Sequence, residues 1–532
     1  MNFSELFLTS PLGMFALQNN LHLIGPEIVL ALVILCCIGH LSFSKSKLES
    51  QQTWKLATSG VAIVLMFITA MWWSLTQLTP TSTVVMNGMF QADTFSMLIR
   101  TLLVAGTLMV LLFTRAFIDK RAEVPGEFYV IMLTALLGGM MLSGATDLIM
   151  LFVSLETLSI SSYILAGYMR GNILSAEAGL KYLLYGSLAT AVLLFGLSIL
   201  YGITGVTSYP EIARVLNASM SHYPALIVSI MVVMIVAGIA FKLSAAPFHM
   251  WAPDTYEGAP TPLVAFLSVV SKIAGFGLAI RLFTLFFGTL TGWAGLLSVL
   301  SVLSMVIGNI VALSQKNIKR LLAYSTVAHG GYLLLGLVAL TPSSLGSVLY
   351  YLMTYLFMNL GAFAVVTHFE NLTGQTDIAA YAGLLRKRPE IAFVFSIMLL
   401  SLAGIPITAG FFGKFFLFQS VVNAGHQYIW LVVVALLTST ISLYYYLNVI
   451  RLMVISEPSD AVNALPAKDA QSGPLSPIGL VLSIALVSTL TLGVMAQNFL
   501  TVAQLSVEEM VRGNAYAIAH PHPEDEAISL AR

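Results

Sequence analysis

The chain has 532 residues, of which 58% are hydrophobic and only 9% charged, against about 25% charged in soluble domains. Mean hydropathy is +0.90, and 24 basic residues balance 24 acidic ones. This composition gives no footing for a nucleic-acid partner or a separately folding soluble domain, and segments of about 10 alternating residues, the mark of a transmembrane β-barrel, are absent.

Apolar runs of about 20 residues recur from end to end, the length that crosses a hydrocarbon core of about 30 Å. In chain order the pattern predicts about 14 spans: residues 24–43, 57–78, 94–115, 127–143, 145–169, 177–203, 225–258, 262–287, 291–313, 321–340, 345–368, 391–424, 427–453 and 475–498. The expected fold class is an all-α polytopic membrane protein. Cys36 and Cys37 sit side by side in the first apolar run, where packing is their expected role. Residues 1–20 carry no Lys or Arg, so a cleavable signal peptide is not expected. The acceptor patterns at Asn217 and Asn371 are short enough to arise by chance.

Lys45, Lys47, Arg115, Lys120, Arg121, Arg170, Lys316, Lys319, Arg320, Arg386, Lys387, Arg388 and Lys468 all fall in loops that follow odd-numbered spans. Loops after even-numbered spans hold essentially Arg214 alone. The positive-inside rule then places the basic loops in the cytoplasm and both termini outside.

Two spans are too long. Residues 225–258 and 391–424 cover 34 positions each, about 51 Å as continuous helix. Both contain breakers: Pro247 and Pro253 in the first, Gly404, Pro406, Gly410 and Gly413 in the second. Broken backbone at membrane depth is tolerated only where protein or water satisfies it, and paired interrupted spans point to a transporter's working site. The expected organisation is spans 1–3 in residues 1–125, two inverted five-helix halves in 126–290 and 291–455, each with a broken helix, and span 14 with its tail in 456–532.

An ionised side chain at mid-membrane costs about 2.5–3.5 kcal/mol even on lenient insertion scales. Glu156, Lys242, Lys272 and Lys414 lie deep within spans, and a role in moving protons is weighed against structural pairing or snorkelling. Lys181 lies near the cytoplasmic start of the sixth span, where snorkelling competes evenly with a functional role, and His249 follows Pro247 in the first break, where a structural hydrogen bond competes evenly with a proton relay. His329 lies within the tenth span, where packing more often satisfies a lone histidine. Arg100 and Arg281 are expected to meet an acid, lipid or backbone, and Asp254 and Glu257 to cap and solvate the end of the first broken helix. The tail AHPHPEDE reads as an exposed terminus rather than a metal site.

Lysine titrates near 10.4 in water, burial lowers that value and a nearby carboxylate raises it. An ammonium has no acceptor, so lysines cannot ligate Na⁺, and the deep groups favour protons over metal cations as cargo. No iron–sulfur cysteine spacing, P-loop or strand–GxGxxG–helix unit is present.

Four stretches, GIAFKLSAAPFHMWAPDTYEGAPTP, FLSVVSKIAGFG, LLAYSTVAHGGYLLLGL and LAGIPITAGFFGKFFLF, together resemble the antiporter-like membrane subunits of respiratory complex I over about residues 90–455. Within that family the APDTYEGAPTP stretch, a lysine at position 414 and the short segment after span 14 lean to the N-like branch, the mitochondrial subunit 2 type. The resemblance implies a proton-translocating subunit of a complex I-type quinone oxidoreductase. In it Glu156 and Lys242 would form the ion pair of the first half-channel, Lys272 the central relay and Lys414 the outlet lysine. Lys181 would modulate the input side, and His249 with waters would bridge between lysines, while His329 departs from the expected pattern. The family's NADH or other donor, FMN, iron–sulfur clusters and quinone are expected in other subunits, with no cofactor on this chain. Expected partners are M-type and K-type neighbours and lipid in an energy-converting, bacterial plasma membrane. The alternative is an independent, Mrp-like cation–proton antiporter subunit. A purely structural role would leave the deep charges without use.

Overall fold

The architecture of a computed structural model follows from the burial of apolar helices against one another, and it describes residues 21–43, 48–77, 83–219, 223–286, 292–466, 473 and 476–519. Lys45, Lys47, Lys468, residues 1–20 and the tail from 520 lie outside the described residues.

Helices α1 (Gly25–Phe43) and α2 (Leu48–Gln77) lead into a short hairpin of β1 (Thr83–Val85) and β2 (Phe90–Ala92). Then come α3 (Thr94–Arg121), α4 (Pro125–Ser143), α5 (Leu148–Ala166) and α6 (Ile173–Thr204), followed by a short helix α7 (Tyr209–Ser219). The first long span divides into α8 (Ala225–Lys242) and α9 (Trp251–Gly258), and α10 covers Thr261–Phe286 with a π turn at Leu267–Ser271. Next are α11 (Trp293–Ala312), α12 (Ile318–Ala339) and α13 (Pro342–Thr373). The second long span divides into α14 (Pro389–Ala403) and α15 (Ala409–Ala424). The chain finishes with α16 (Ile429–Ile455), α17 (Pro477–Val494) and α18 (Ala496–Ala519).

Among the described residues, 13 helices are long and apolar enough to cross a membrane, and α14 is a shorter apolar helix. The protein is an integral membrane protein of the all-α class. The first long span breaks around Pro247 and the second around Gly404 and Pro406, whereas Pro253 lies in the first turn of α9, and Gly410 and Gly413 lie within α15 and do not break it. Pro247 lies between α8 and α9, where Ser244 takes a left-handed φ of 55°, and Pro406 lies between α14 and α15, where Ile407 takes φ 81°. A β-branched residue in that region is strained and persists only where its surroundings hold it.

Burial sorts the helices into a core and a sheath. In the most apolar window of α10 every residue is buried, and 94% are in α12 and α13, against 28% in α6. The polar residues of α10, α12 and α13 therefore face protein rather than lipid, as charged groups in membranes must.

Three features were not foreseen from sequence. The β-hairpin sets Gln91 and Asp93 against Arg281, α7 occupies the link between α6 and α8, and α18 follows the last span. Helix α18 is amphipathic and packs against α13, α3 and α7, with Thr94 Oγ1 donating to Glu509 Oε2 at 2.6 Å. Two basic residues assigned to a loop also differ. Lys319 and Arg320 lie in the first turn of α12, and Lys319 is buried, donating to the Ala259 carbonyl at 3.2 Å.

Candidate proton-transfer site

Glu156 is half-buried on α5, and its Oε1 accepts from Thr190 Oγ1 of α6 at 2.9 Å. Lys242 is the last residue of α8, where the helix breaks, and its buried Nζ donates to Ser159 Oγ at 3.1 Å. Glu156 and Ser159 stand three apart on α5, so they share a helix face. The direct ion pair implied by resemblance is replaced here by two hydroxyl contacts.

Lys272 follows the π turn of α10 and is 1% exposed. Its Nζ donates to the Thr326 carbonyl of α12 at 2.6 Å. Thr326 Oγ1 in turn accepts from Tyr355 OH at 3.0 Å, and Asn359 donates at 3.0 Å both to that hydroxyl and to Ser268 Oγ in the π turn. A π turn inside an α-helix frequently marks a functional position, because the extra residue re-aims the side chains beside it.

His329, one turn beyond Thr326 on α12, has both ring nitrogens engaged by tyrosines. Nδ1 lies 2.6 Å from Tyr351 OH and Nε2 lies 3.4 Å from Tyr446 OH, and Tyr446 makes a short hydroxyl contact with Ser325. Tyr332 OH accepts from Asn309 Nδ2 at 3.0 Å, and Tyr445 OH donates to Asn309 Oδ1 at 3.2 Å.

Lys414 sits in α15 just past the second break. Its Nζ donates to the Leu402 and Ala403 carbonyls at 3.1 and 3.0 Å and to Ser439 Oγ at 3.0 Å, and it lies 5.1 Å from the centre of the Tyr332 ring. The two carbonyls belong to the last turn of α14, where a helix end leaves oxygens without intrahelical donors and carries partial negative charge. The break thus supplies the acceptors that hold the ammonium.

The remaining candidates separate. Lys181 is over one-third exposed and pairs with Glu177 at 2.7 Å and Asp254 at 2.6 Å. His249 is buried in the first break with its ring edge-on to Tyr324 at 6.3 Å. Asp254 and Glu257 are about one-third exposed and also paired: Arg320 Nη1 donates to both, at 2.9 and 2.7 Å. Arg281 meets Asp93 through both carboxylate oxygens at 2.8 and 2.9 Å, and Arg100 meets Glu27 at 3.2 Å and the Leu23 carbonyl at 3.1 Å. Both arginines therefore pair with acids and not with lipid.

Sequence reasoning missed Ser159, Thr190, Thr326, Tyr351, Tyr355, Tyr446 and Ser439, the neutral groups that receive the charged ones. A usable signal did exist in α13, where Tyr351, Tyr355 and Asn359 recur every fourth residue and so share one face of the helix. Among the described residues no three His, Cys, Asp or Glu side chains converge as a metal site.

Residues 145–442 match the family model described as NADH:quinone oxidoreductase/Mrp antiporter, transmembrane. The chain is 43% identical over 94% of its length, and 94% of the relative's, to NAD(P)H-quinone oxidoreductase subunit 2 of Synechococcus sp. strain JA-3-3Ab. It is 42% identical to the protein of the same name from Microcystis aeruginosa, covering 93% of this chain and 96% of that one. Among solved structures, a chain of respiratory complex I from Thermus thermophilus with bound aureothin superposes at a TM-score of 0.73, with 30% identity, 90% of this chain covered and 99% of that chain. A chain of the Mrp complex from Dietzia sp. shares the fold at a TM-score of 0.78 and 20% identity, with 93% and 99% covered.

Proposed function

Because the chain belongs to the NADH:quinone oxidoreductase/Mrp antiporter transmembrane family, we propose that it is the subunit 2-type, proton-translocating membrane subunit of an NAD(P)H–quinone oxidoreductase. Protons enter by Glu156 and Lys242, pass Lys272 and leave through Lys414, with His329 and its tyrosines between the last two. The observation that carries this reading is that three buried lysines, in order along the bundle, are each held by neutral acceptors rather than by a contacting carboxylate. Hydroxyls such as those of Ser159 and Ser439 accept from an ammonium and can also donate to a free amine. A contacting carboxylate would instead stabilise the ammonium and oppose release of its proton.

The electron donor, FMN, iron–sulfur clusters and quinone belong to partner subunits in this reading, and M-type and K-type neighbours flank the chain. The two halves, 126–290 and 291–455, each carry one broken helix and act as linked half-channels. The basic face lies in the cytoplasm, both termini lie outside, and the membrane is a bacterial plasma membrane.

The test is Lys272→Ala in the intact complex, purified and reconstituted in proteoliposomes. Assembly is expected to persist while proton translocation falls about 100-fold, the scale for losing a positioned proton-transfer group. Normal pumping by an assembled Lys272→Ala complex would sink the reading.

A further inference from the structure

Helix α9 is only eight residues long, and the broken segment that precedes it cannot fix its position through continuous hydrogen bonding. Its place is set by what it touches. On one side Trp251 stacks on Tyr182 of α6, with ring centres 4.3 Å apart and planes at 11°. On the other side two adjacent basic residues in the first turn of α12 grip it. Lys319 donates to the Ala259 carbonyl at the α9 C-cap, and Arg320 donates to Asp254 and Glu257.

Asp254 is the hinge of this cluster. Its Oδ2 accepts from Lys181 of α6 at 2.6 Å and its Oδ1 from Arg320 of α12 at 2.9 Å, so one carboxylate joins the two halves through α9. Lys181 also pairs with Glu177, which closes a chain of alternating charge: Glu177, Lys181, Asp254, Arg320, Glu257. Surface ion pairs are worth little singly, but a network sharing one carboxylate between three elements fixes geometry.

The geometry matters because of what α12 carries. Thr326, whose carbonyl holds Lys272, lies six residues from Arg320 on the same helix, about 9 Å along the axis. At its other end, α9 is joined by the break to Lys242 at the close of α8. We propose that Arg320 and Asp254 are positioning residues that clamp α9 to α12, so that rearrangement around Lys242 in the first break moves the acceptor of Lys272.

This inference rests on the proton-transfer reading above. The clamp touches neither lysine; it acts through the rigid first turns of α12.

The experiment uses the intact complex in proteoliposomes with assembly quantified, and compares Arg320→Met, Arg320→Lys and Asp254→Asn with Lys272→Ala. Arg320→Met, which keeps bulk but loses charge, is expected to cut proton translocation about 10-fold, the loss that follows a misplaced acceptor. Arg320→Lys is expected to recover most of it, a rescue that a merely space-filling role would not give. Normal translocation by an assembled Arg320→Met complex overturns the clamp, as does equal loss in Arg320→Lys and Arg320→Met. If Arg320→Met fails to assemble, Asp254→Asn decides: a similar loss supports the clamp, and normal translocation overturns it. The parallel Lys272→Ala separates the two ideas. Pumping lost there but intact in Arg320→Met defeats the clamp alone, whereas pumping retained in Lys272→Ala defeats the proton reading itself.

Discussion

A glycine faces each of the three deep lysines. A methyl group added at Gly275 would stand 3.3 Å from Lys242 Cγ, one at Gly330 3.2 Å from Lys272 Nζ, and one at Gly404 3.2 Å from Lys414 Cδ. A Cβ at any of these positions would press the lysine side chain aside. Gly330→Ala is therefore expected to leave the complex assembled but to lower proton translocation about 10-fold by displacing the Lys272 ammonium from the Thr326 carbonyl; reconstituted proton uptake measures this. Arg281 gives a stability prediction of another kind. Asp93→Asn removes the charge that faces a fully buried guanidinium, and breaking a buried pair costs about 3–5 kcal/mol. The expected outcome is a large drop in subunit recovered in the purified complex and in its thermal unfolding midpoint. At this scale the charges were legible in the sequence because ionised groups are rare in apolar helices. Their acceptors were not. With 20 tyrosines in the chain, nothing in the sequence says which hydroxyls turn toward Lys272 or His329, and backbone carbonyls carry no residue signature at all.

At the scale of elements, the two breaks were readable from length and proline alone, since 34 residues exceed any membrane thickness. How the breaks are made was not. Ile407 turns the second one at φ 81° while 72% exposed, so it gives up backbone comfort without gaining much packing. Ile407→Gly is expected to raise the thermal unfolding midpoint of the complex, because it relieves about 1–2 kcal/mol of left-handed strain that the loss of a mostly exposed side chain does not offset. The π turn before Lys272 was illegible because a single inserted residue leaves the 3.6-residue apolar pattern intact on both sides. Helix α18 escaped for the opposite reason, since Gln497, Gln504, Glu508, Glu509 and Arg512 make it too polar to register as a span. Its tie to α3 through Glu509 makes Glu509→Ala a test of its role as a strap, with faster protease cleavage within 496–519 as the expected result.

At the scale of the whole molecule, the alternation of basic and neutral loops defines two faces. Lys387 is exposed on the basic face and Gln427 is exposed at the other end of the second broken helix. In a background lacking Cys36 and Cys37, a cysteine at 387 is expected to react with a membrane-impermeant thiol reagent only from the cytoplasm, and one at 427 only from outside; the reverse pattern would invert the proposed orientation. The order of the spans was legible because hydropathy is a property of whole helices, insensitive to which way each one turns, although 13 of the described helices rather than about 14 are long and apolar enough to cross a membrane. Which helices form the centre was not legible, since α10, α12 and α13 are no more apolar than the sheath around them.

That arrangement of three helices buried within others bears on how the chain is made. Helix α10 carries Lys272 and Arg281, and α12 carries Lys319, Arg320 and His329. At about 2.5–3.5 kcal/mol for a charge placed at mid-bilayer, Lys272 makes α10 costly to leave alone in lipid as it quits the translocon, whereas Lys319 and Arg320, in the first turn of α12, stand at a helix end. Helix α8 carries only Lys242, at its end. Insertion of α10 is therefore expected to gain from a neighbouring protein surface that receives Lys272 early.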